Sequence, residues 1–287
     1  MAVVVMTGCS SGFGLEGALA FARNGDVVYA TMRDLSRGAR LLAAADKESL
    51  NLHMRALDVA DSESFPRVIA EIAEEAGRID VLVNNAGINR SGALEDLSEA
   101  AFRDVMETNC VGPLLLTKAV LPYMRKQRSG YIIMMSSLSG IAGLPGDVAY
   151  TASKFAIEGA TEALRHEVDH WGIRVALVEG GLYATQIFDA IALAESPLPD
   201  DYPENSPYRE LIERRLGEIR ERLPDAMDPR IVADLYVRIA ASDGSQLRWP
   251  ADDIAVRVLD TMFAQDDPGR DRFLRDVAGC DWWSKGD

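Results

Sequence analysis

Short apolar runs at residues 2–6, 27–31, 50–57, 79–83, 131–135 and 173–178 alternate with stretches of helical spacing over the first 180 residues. The intervening segments, 16–23, 64–76, 99–124 and 152–170, repeat their apolar positions every three or four residues, as a helix with one buried face does. Strands that are apolar at nearly every position are buried on both sides, which happens when helices cover both faces of a parallel sheet. Six such strands alternating with helices predict an α/β protein built on a doubly wound parallel sheet.

Beyond residue 178 the pattern changes. Pro197, Pro199, Pro203, Pro207, Pro224 and Pro229 crowd into a stretch where Ile212, Leu216, Ile219 and Leu223 recur at spacings of four, three and four. That repeat predicts one amphipathic helix, with Glu210–Arg214 and Glu218–Arg222 as ion pairs one turn apart on its wetter side. Inserted after the sixth strand, it would lie over the carboxyl ends of the strands, where open α/β sheets bind ligands. Residues 1–287 are therefore read as one domain, with 182–230 a lid insertion and 265–287 a C-terminal tail. A solvated surface helix with packing duties only is the alternative to the lid.

Composition narrows the partners. Thirty Lys and Arg against 45 Asp and Glu leave a formal charge of −15, which argues against a nucleic acid or an anionic membrane, since both need a basic surface. No run approaches the roughly 18 apolar residues of a membrane span. Cys9, Cys110 and Cys280 are scattered and odd in number, the usage of reduced thiols in a cytoplasmic protein. His166 and His170 stand one helical turn apart but lack a third ligand, so a solvated helix face is expected there and no metal.

Two segments carry chemistry. Thr7-Gly8-Cys9-Ser10-Ser11-Gly12-Phe13-Gly14 follows the first strand and opens the first helix. Its glycines permit a tight turn and close approach of a pyrophosphate, and the helix N-terminus offers unpaired N–H groups to it. Backbone amides can hold an anion without net basic charge. The second strand ends Tyr29-Ala30-Thr31-Met32-Arg33-Asp34: no acid waits for a ribose 2′-hydroxyl, and Arg33 can pair with a 2′-phosphate. NADP(H) is thus preferred, with NAD(H) kept open by Asp34, which can also simply pair with Arg33. Tyr150 and Lys154 are four apart, on one face of a helix, so the ammonium can favour the phenolate. Ser136-Ser137 ends the fifth strand, at the edge where a hydroxyl can orient a substrate carbonyl.

With these residues in place the chain resembles the short-chain dehydrogenase/reductases, which have a Rossmann fold. The resemblance rests on the glycine motif, Asp58 in Leu57-Asp58-Val59, Asn84-Asn85-Ala86-Gly87, Asn109, Ser137 and Tyr150-x-x-x-Lys154, in the family's order over residues 1 to about 185. It implies Tyr150 as proton donor or acceptor, Lys154 as the group that binds the nicotinamide ribose and lowers the tyrosine pKa, Ser137 as the holder of the substrate oxygen and Asn109 as the support of a water relay. Asp58 and Val59 would contact adenine, Asn85, Ala86 and Gly87 would line the cleft, and Gly181, Leu182 and Thr185 would face the carboxamide. Ser137, thirteen residues before the tyrosine, is preferred to Ser136 on the family's spacing. One departure is Gly180, where the family commonly has proline, which predicts a more mobile loop.

Within the family, residues 30–34 and 150–159 resemble the hydroxysteroid and retinol dehydrogenase branch, which implies a hydrophobic alcohol or ketone as substrate. Phe188, Ile191, Leu193, Leu198 and Tyr202 would wall its pocket or pack within the lid, and Trp249, Trp282 and Trp283 would close a pocket or an oligomer interface. The helical segments 99–124 and 152–170 match those that pair in family dimers, implying a homodimer or homotetramer. The expected function is NADP(H)-dependent interconversion of a secondary alcohol and a ketone. Its alternatives are an NAD-dependent alcohol dehydrogenase of the same family and a non-catalytic dinucleotide sensor.

Overall fold

Val3–Met6 (β1) is buried at all four positions because its side chains alternate between two separate cores: Val3 and Val5 enter one, Val4 and Met6 the other. The computed structural model describes residues 1–189, 192, 196–199 and 201–285. Among these, Val27–Met32 (β2), Leu52–Ala56 (β3), Val81–Asn84 (β4), Gly130–Met135 (β5), Ile173–Glu179 (β6) and Arg248–Pro250 (β7) join β1 in one parallel sheet of order β3-β2-β1-β4-β5-β6-β7. Chain order reverses between β1 and β4, and the crevice beyond their carboxyl ends is where such sheets take ligands.

The seventh strand went unpredicted. Arg248-Trp249-Pro250 has no apolar run, and it becomes a strand only by pairing Leu177, Val178 and Glu179 of β6. Trp249 consequently packs into the sheet core rather than beside Trp282 and Trp283.

Helix bounds also moved. The helix Gly12–Arg23 (α1) begins inside the glycine turn, four residues before its helical pattern starts. Ala39–Glu48 (α2) and Phe65–Ala76 (α3) follow β2 and β3. The expected continuous helix 99–124 is Glu99–Met106 (α4), a π-helical turn Glu107–Val111 and Gly112–Gln127 (α5). At the end of the break the chain passes close to Val59: a Cβ on Gly112 would lie 1.9 Å from the Val59 carbonyl oxygen, so the position requires glycine. Such π turns gather at functional sites, and this one holds Asn109. The helix expected at 152–170 is Val148–Val168 (α6), so Tyr150 lies in its first turn.

After β6 come Arg209–Arg222 (α7), Arg230–Ala240 (α8), Asp253–Ala264 (α9), Asp267–Ala278 (α10) and Asp281–Lys285 (α11). Ile212 and Leu216 of α7 are buried as their spacing requires, with Leu198, Tyr202 and Ala93 of the loop after β4. Leu198 and Tyr202 thus pack within the insertion, Tyr202 and Ser206 both donating to Asp96. Phe188 packs against the same cluster; Ile191 and Leu193 lie outside the described residues. The expected ion pairs are rearranged: Arg214 and Arg215 both approach Glu218, at 3.8 Å. Arg214 reaches Glu218 rather than Glu210. Trp282 packs on this cluster beneath Arg214, whose guanidinium carbon is 5.0 Å from its ring centroid. In the tail, Phe273 and Leu274 pack with α9 against Ile141 and Ala142. Among the described residues no helix is long and apolar enough to cross a membrane.

Candidate active site

The glycine turn is built around its own backbone. Gly8 and Gly12 have φ of +72° and +52°, a region side chains disfavour, and a Cβ on Gly14 would lie 2.1 Å from the Gly8 carbonyl oxygen. Ser11 precedes α1 without a side-chain capping bond, which leaves N–H groups of the first turn open to an anion, flanked by Ser10 and Phe13. Cys9 is buried behind the turn, and burial pushes its thiol up to about 12, so it is inert.

Thr7 braces this turn to the next strand. Its hydroxyl accepts from Asn85 and Ala86 N–H at 2.9 and 3.0 Å, and Asn85 donates back to the Thr7 carbonyl at 2.9 Å. Tyr236 of α8 completes the tie by donating to Asn85 Oδ1 at 3.1 Å. Neither Thr7 nor Tyr236 was singled out in the sequence, because nothing local marks a hydroxyl as a brace.

At the adenine end, Arg33 is exposed just past β2 and forms no close ion pair among the described residues. Arg33 forms no close ion pair with Asp34: Asp34 accepts from the amide and hydroxyl of Ser36, and those bonds, helped by the nearby Arg37 and Arg33 charges, hold its carboxyl below the usual range. Arg37 lies nearby, 3.4 Å from Gln186. Asp58 accepts from Ala60 N at 3.0 Å, and Val59 is buried beside it.

The four expected catalytic residues converge beyond β4 and β5. Asn109 clamps the loop after β4, its amide exchanging two 2.8 Å hydrogen bonds with the Ile88 backbone and donating to Ser153 at 3.1 Å. Lys154 is 3% exposed, and its Nζ donates to the Met135 carbonyl at 2.8 Å and lies 5.5 Å from the Tyr150 ring centroid. Burial lowers its pKa from 10.5 to about 8, against the attraction of Glu158. The space beside Gly87 opens towards this ammonium. The two serines point apart: Ser137 faces the Tyr150 hydroxyl, its Oγ accepting from Ser139 N at 3.1 Å, whereas Ser136 donates to Glu158.

The Tyr150 phenol does not follow the sequence expectation. Burial carries it from 10 up to about 12; the Ser137 hydrogen bond opposes the rise and Asp147 adds to it. Lys154 stands over the ring rather than at the oxygen, so by itself it does not make the phenol acidic.

Behind the site lies a buried carboxyl that the sequence did not mark. Glu179, at the end of β6, is 0% exposed and both its oxygens lack hydrogen-bond partners. Burial, with Glu158 nearby, raises its pKa from 4.5 to about 9, outweighing Arg248. The folded chain therefore keeps a proton that the unfolded chain has released. Its stabilising share is full below about pH 4.5 and is lost as pH rises towards 9, by at most about 1.4 kcal/mol per pH unit. The Tm of Glu179→Gln minus that of the native chain should thus grow from pH 5 to pH 8 in thermal scans. A flat difference would show that no proton is held there.

The loop after β6 corrects a second expectation. Gly180 does not leave it loose: Ala251 N donates to the Glu179 carbonyl at 2.8 Å, and Leu182 and Ala184 bond to Met227 on either side of the Tyr183–Met227 bridge. Leu138, next to Ser137, donates to the Gly180 carbonyl at 3.2 Å. Thr185 faces the glycine turn, 3.2 Å from where a Gly12 Cβ would be. Long-range pairing replaces the rigidity that a proline would have supplied locally.

Comparison with known proteins agrees with this geometry. A family model described as short chain dehydrogenase matches residues 2–196. The uncharacterised oxidoreductase YusZ of Bacillus subtilis is 38% identical over 86% of the chain and 88% of that protein. A 3-ketodihydrosphingosine reductase of Bacteroides thetaiotaomicron is 36% identical over 86% of each, and retinol dehydrogenase 8 of Bos taurus 37% over 85% of the chain and 80% of its own. Among solved structures, a short-chain dehydrogenase from Streptomyces avermitilis is similar with a TM-score of 0.77 and 30% identity, covering 99% of the chain and 97% of its own. A metagenomic short-chain oxidoreductase in complex with NADP is similar at 0.68 and 25% identity, covering 87% and 95%.

Proposed function

The chain belongs to the short-chain dehydrogenases, NAD(P)-dependent oxidoreductases of CH–OH groups, and from that premise we propose that it interconverts a secondary alcohol and a ketone on an apolar or aromatic small molecule using NADP(H). The observation that carries this reading is the convergence of Tyr150, Ser137, Lys154 and Asn109 beyond the carboxyl ends of β4 and β5, where Lys154 Nζ donates to the Met135 carbonyl and stands over the Tyr150 ring and Asn109 donates to Ser153. The residues fit a dinucleotide: the Gly8–Gly14 turn leaves backbone room and open amides for the phosphates, and Gly87 leaves room beside Lys154. A bound nicotinamide supplies or takes the hydride.

The chain's own part is orientation and proton transfer. Ser137 holds the substrate oxygen, and Tyr150 gives that oxygen its proton as the phenol in reduction and takes it back as the phenolate in oxidation. A phenol near 12 is a poor base at neutral pH. Lys154 would favour the phenolate together with the positive charge that an oxidised nicotinamide would add in the filled site. Lys154 would hold the nicotinamide ribose. Asn109 keeps the loop through Ile88 in place, and its support of a water relay belongs to the same reading.

Preference for NADP(H) over NAD(H) follows from Arg33, unpaired at the end of β2 with Arg37 close by, and from Asp34 being engaged by Ser36. A charge-assisted hydrogen bond is worth about 1.5–3 kcal/mol. Arg33→Ala should accordingly lower the ratio of kcat/KM for NADPH over NADH by about 10- to 100-fold. A native ratio favouring NADH would reverse the assignment.

The substrate reading draws on relatives named for retinol and 3-ketodihydrosphingosine and on the apolar insertion at 182–230, taken as a lid over the cleft. A groove between α5 and α6, lined by Leu114, Leu121, Ala160 and Leu164 with Thr117, Lys118 and Glu167 beside them, suits pairing with a second copy as a homodimer or half of a homotetramer. Light scattering at a multiple of the chain mass would bear this out, and a monomer would refute it. The reaction itself is tested with 4-deuterated NADPH and a panel of apolar ketones, which should yield carbinols deuterated at the reduced carbon. Tight NADPH binding with no turnover across the panel would leave the dinucleotide-sensor reading instead.

A further inference from the structure

We propose that Asp252, beyond the 2–196 segment matched by the family model, is a positioning residue for the nicotinamide side of the cleft. It rests on the dinucleotide reading above. One carboxylate does two jobs. Its Oδ1 accepts from Ala255 N at 2.8 Å and caps α9, while its Oδ2 accepts from Gly181 N at 3.2 Å and from the Tyr183 hydroxyl at 2.9 Å. Gly181 and Tyr183 flank Leu182 in the loop after β6, the loop whose usual proline is Gly180 here.

The contacts around Tyr183 make the bond consequential. Tyr183 is 1% exposed, and its phenol is pushed up by burial and by the Asp252 charge, so it remains a donor at any working pH. Its ring meets Phe13 of the glycine turn edge to face, with centroids 5.2 Å apart. The carboxylate that caps the N-terminus of α9 thereby holds the loop against the phosphate turn from the far side. On its other flank, Leu138 Cδ1 lies 3.6 Å from a Cβ position at Gly181, in the turn opened by Ser137. Tension lost at Asp252 is therefore felt where the nicotinamide ring would sit, whereas the adenine end at Arg33 and Asp58 has no contact with it.

The variant that separates these jobs is Asp252→Ser. Serine caps a helix about as well as aspartate, so Tm should stay within a few degrees, but it offers one short oxygen and cannot reach Tyr183 or Gly181. The expected result is hydrogen exchange at residues 181–185 at least tenfold faster without ligand. NADPH, followed by fluorescence, should bind about tenfold more weakly, and adenosine 2′,5′-bisphosphate, which occupies only the adenine half, within twofold of the native affinity. Tyr183→Phe leaves the cap and the Gly181 bond intact and should move exchange and NADPH affinity in the same direction by a smaller factor, so it carries the test if the serine variant does not fold. Unchanged exchange and NADPH affinity, or equal weakening of both ligands, overturns the proposal. Failure of the cofactor reading would look different: the native chain would bind neither probe, and loop exchange alone would then decide the role of Asp252.

Discussion

Tyr150→Phe is expected to lower kcat/KM for ketone reduction by about 10³-fold, within the 10²–10⁴ that a positioned acid–base group contributes, while NADPH binds within twofold of the native affinity. The reasoning is geometric. Phenylalanine keeps the ring over Lys154 Nζ, 5.5 Å from its centroid, and keeps the first turn of α6, so the Lys154–Met135 bond and the Asn109 clamp survive. Only the hydroxyl that meets Ser137 is lost. Steady-state rates paired with a binding titration check both halves. Turnover within tenfold of native would remove Tyr150 from the chemistry, and lost NADPH affinity would mean that the ring serves binding instead.

Gly14→Ala should have the other large effect, through the backbone. The added methyl would stand 2.1 Å from the Gly8 carbonyl oxygen and 2.7 Å from Asn85 Nδ2. Gly8 cannot retreat, since its own Cβ position is 2.9 Å from Ala86 Cα. Overpacking usually costs about 1–3 kcal/mol, and a clash with fixed backbone belongs at the upper end, so NADPH should bind about 100-fold more weakly with a lowered Tm. Gly217→Ala is the control. It lies within α7 with nothing near its Cβ position, so the same substitution should raise stability by about 0.5–1 kcal/mol. A Gly14→Ala protein with native NADPH affinity would show that the close approach is not required.

Much of this was legible before any fold was known, where the evidence is local. The two-sided burial of β1 is written in four consecutive apolar residues, the positive φ of Gly8 and Gly12 in the residue type, and the shared face of Tyr150 and Lys154 in their spacing. Local pattern failed where a neighbour decides. Arg248–Pro250 is a strand because β6 is beside it, and the π turn in the helix from Glu99 leads into Gly112, where Val59 leaves no room for a side chain. The loop at Gly180, read as loosened, is tied through Gly180 to Leu138, through Glu179 to Ala251 and through Leu182 and Ala184 to Met227, partners 42 to 72 residues away in sequence.

Sequence alone thus determined the class of sheet and the family, and it marked the glycine turn and the Tyr150–Lys154 pair as candidates, because each depends on residue type at short separation. Tertiary structure decided their working state. The Tyr150 phenol rises to about 12 and Lys154 falls to about 8, Ser137 faces the tyrosine while Ser136 turns to Glu158, and Glu179 keeps its proton. These depend on burial and on groups brought together from distant parts of the chain, and neither desolvation nor a long-range contact is encoded in any single stretch of residues.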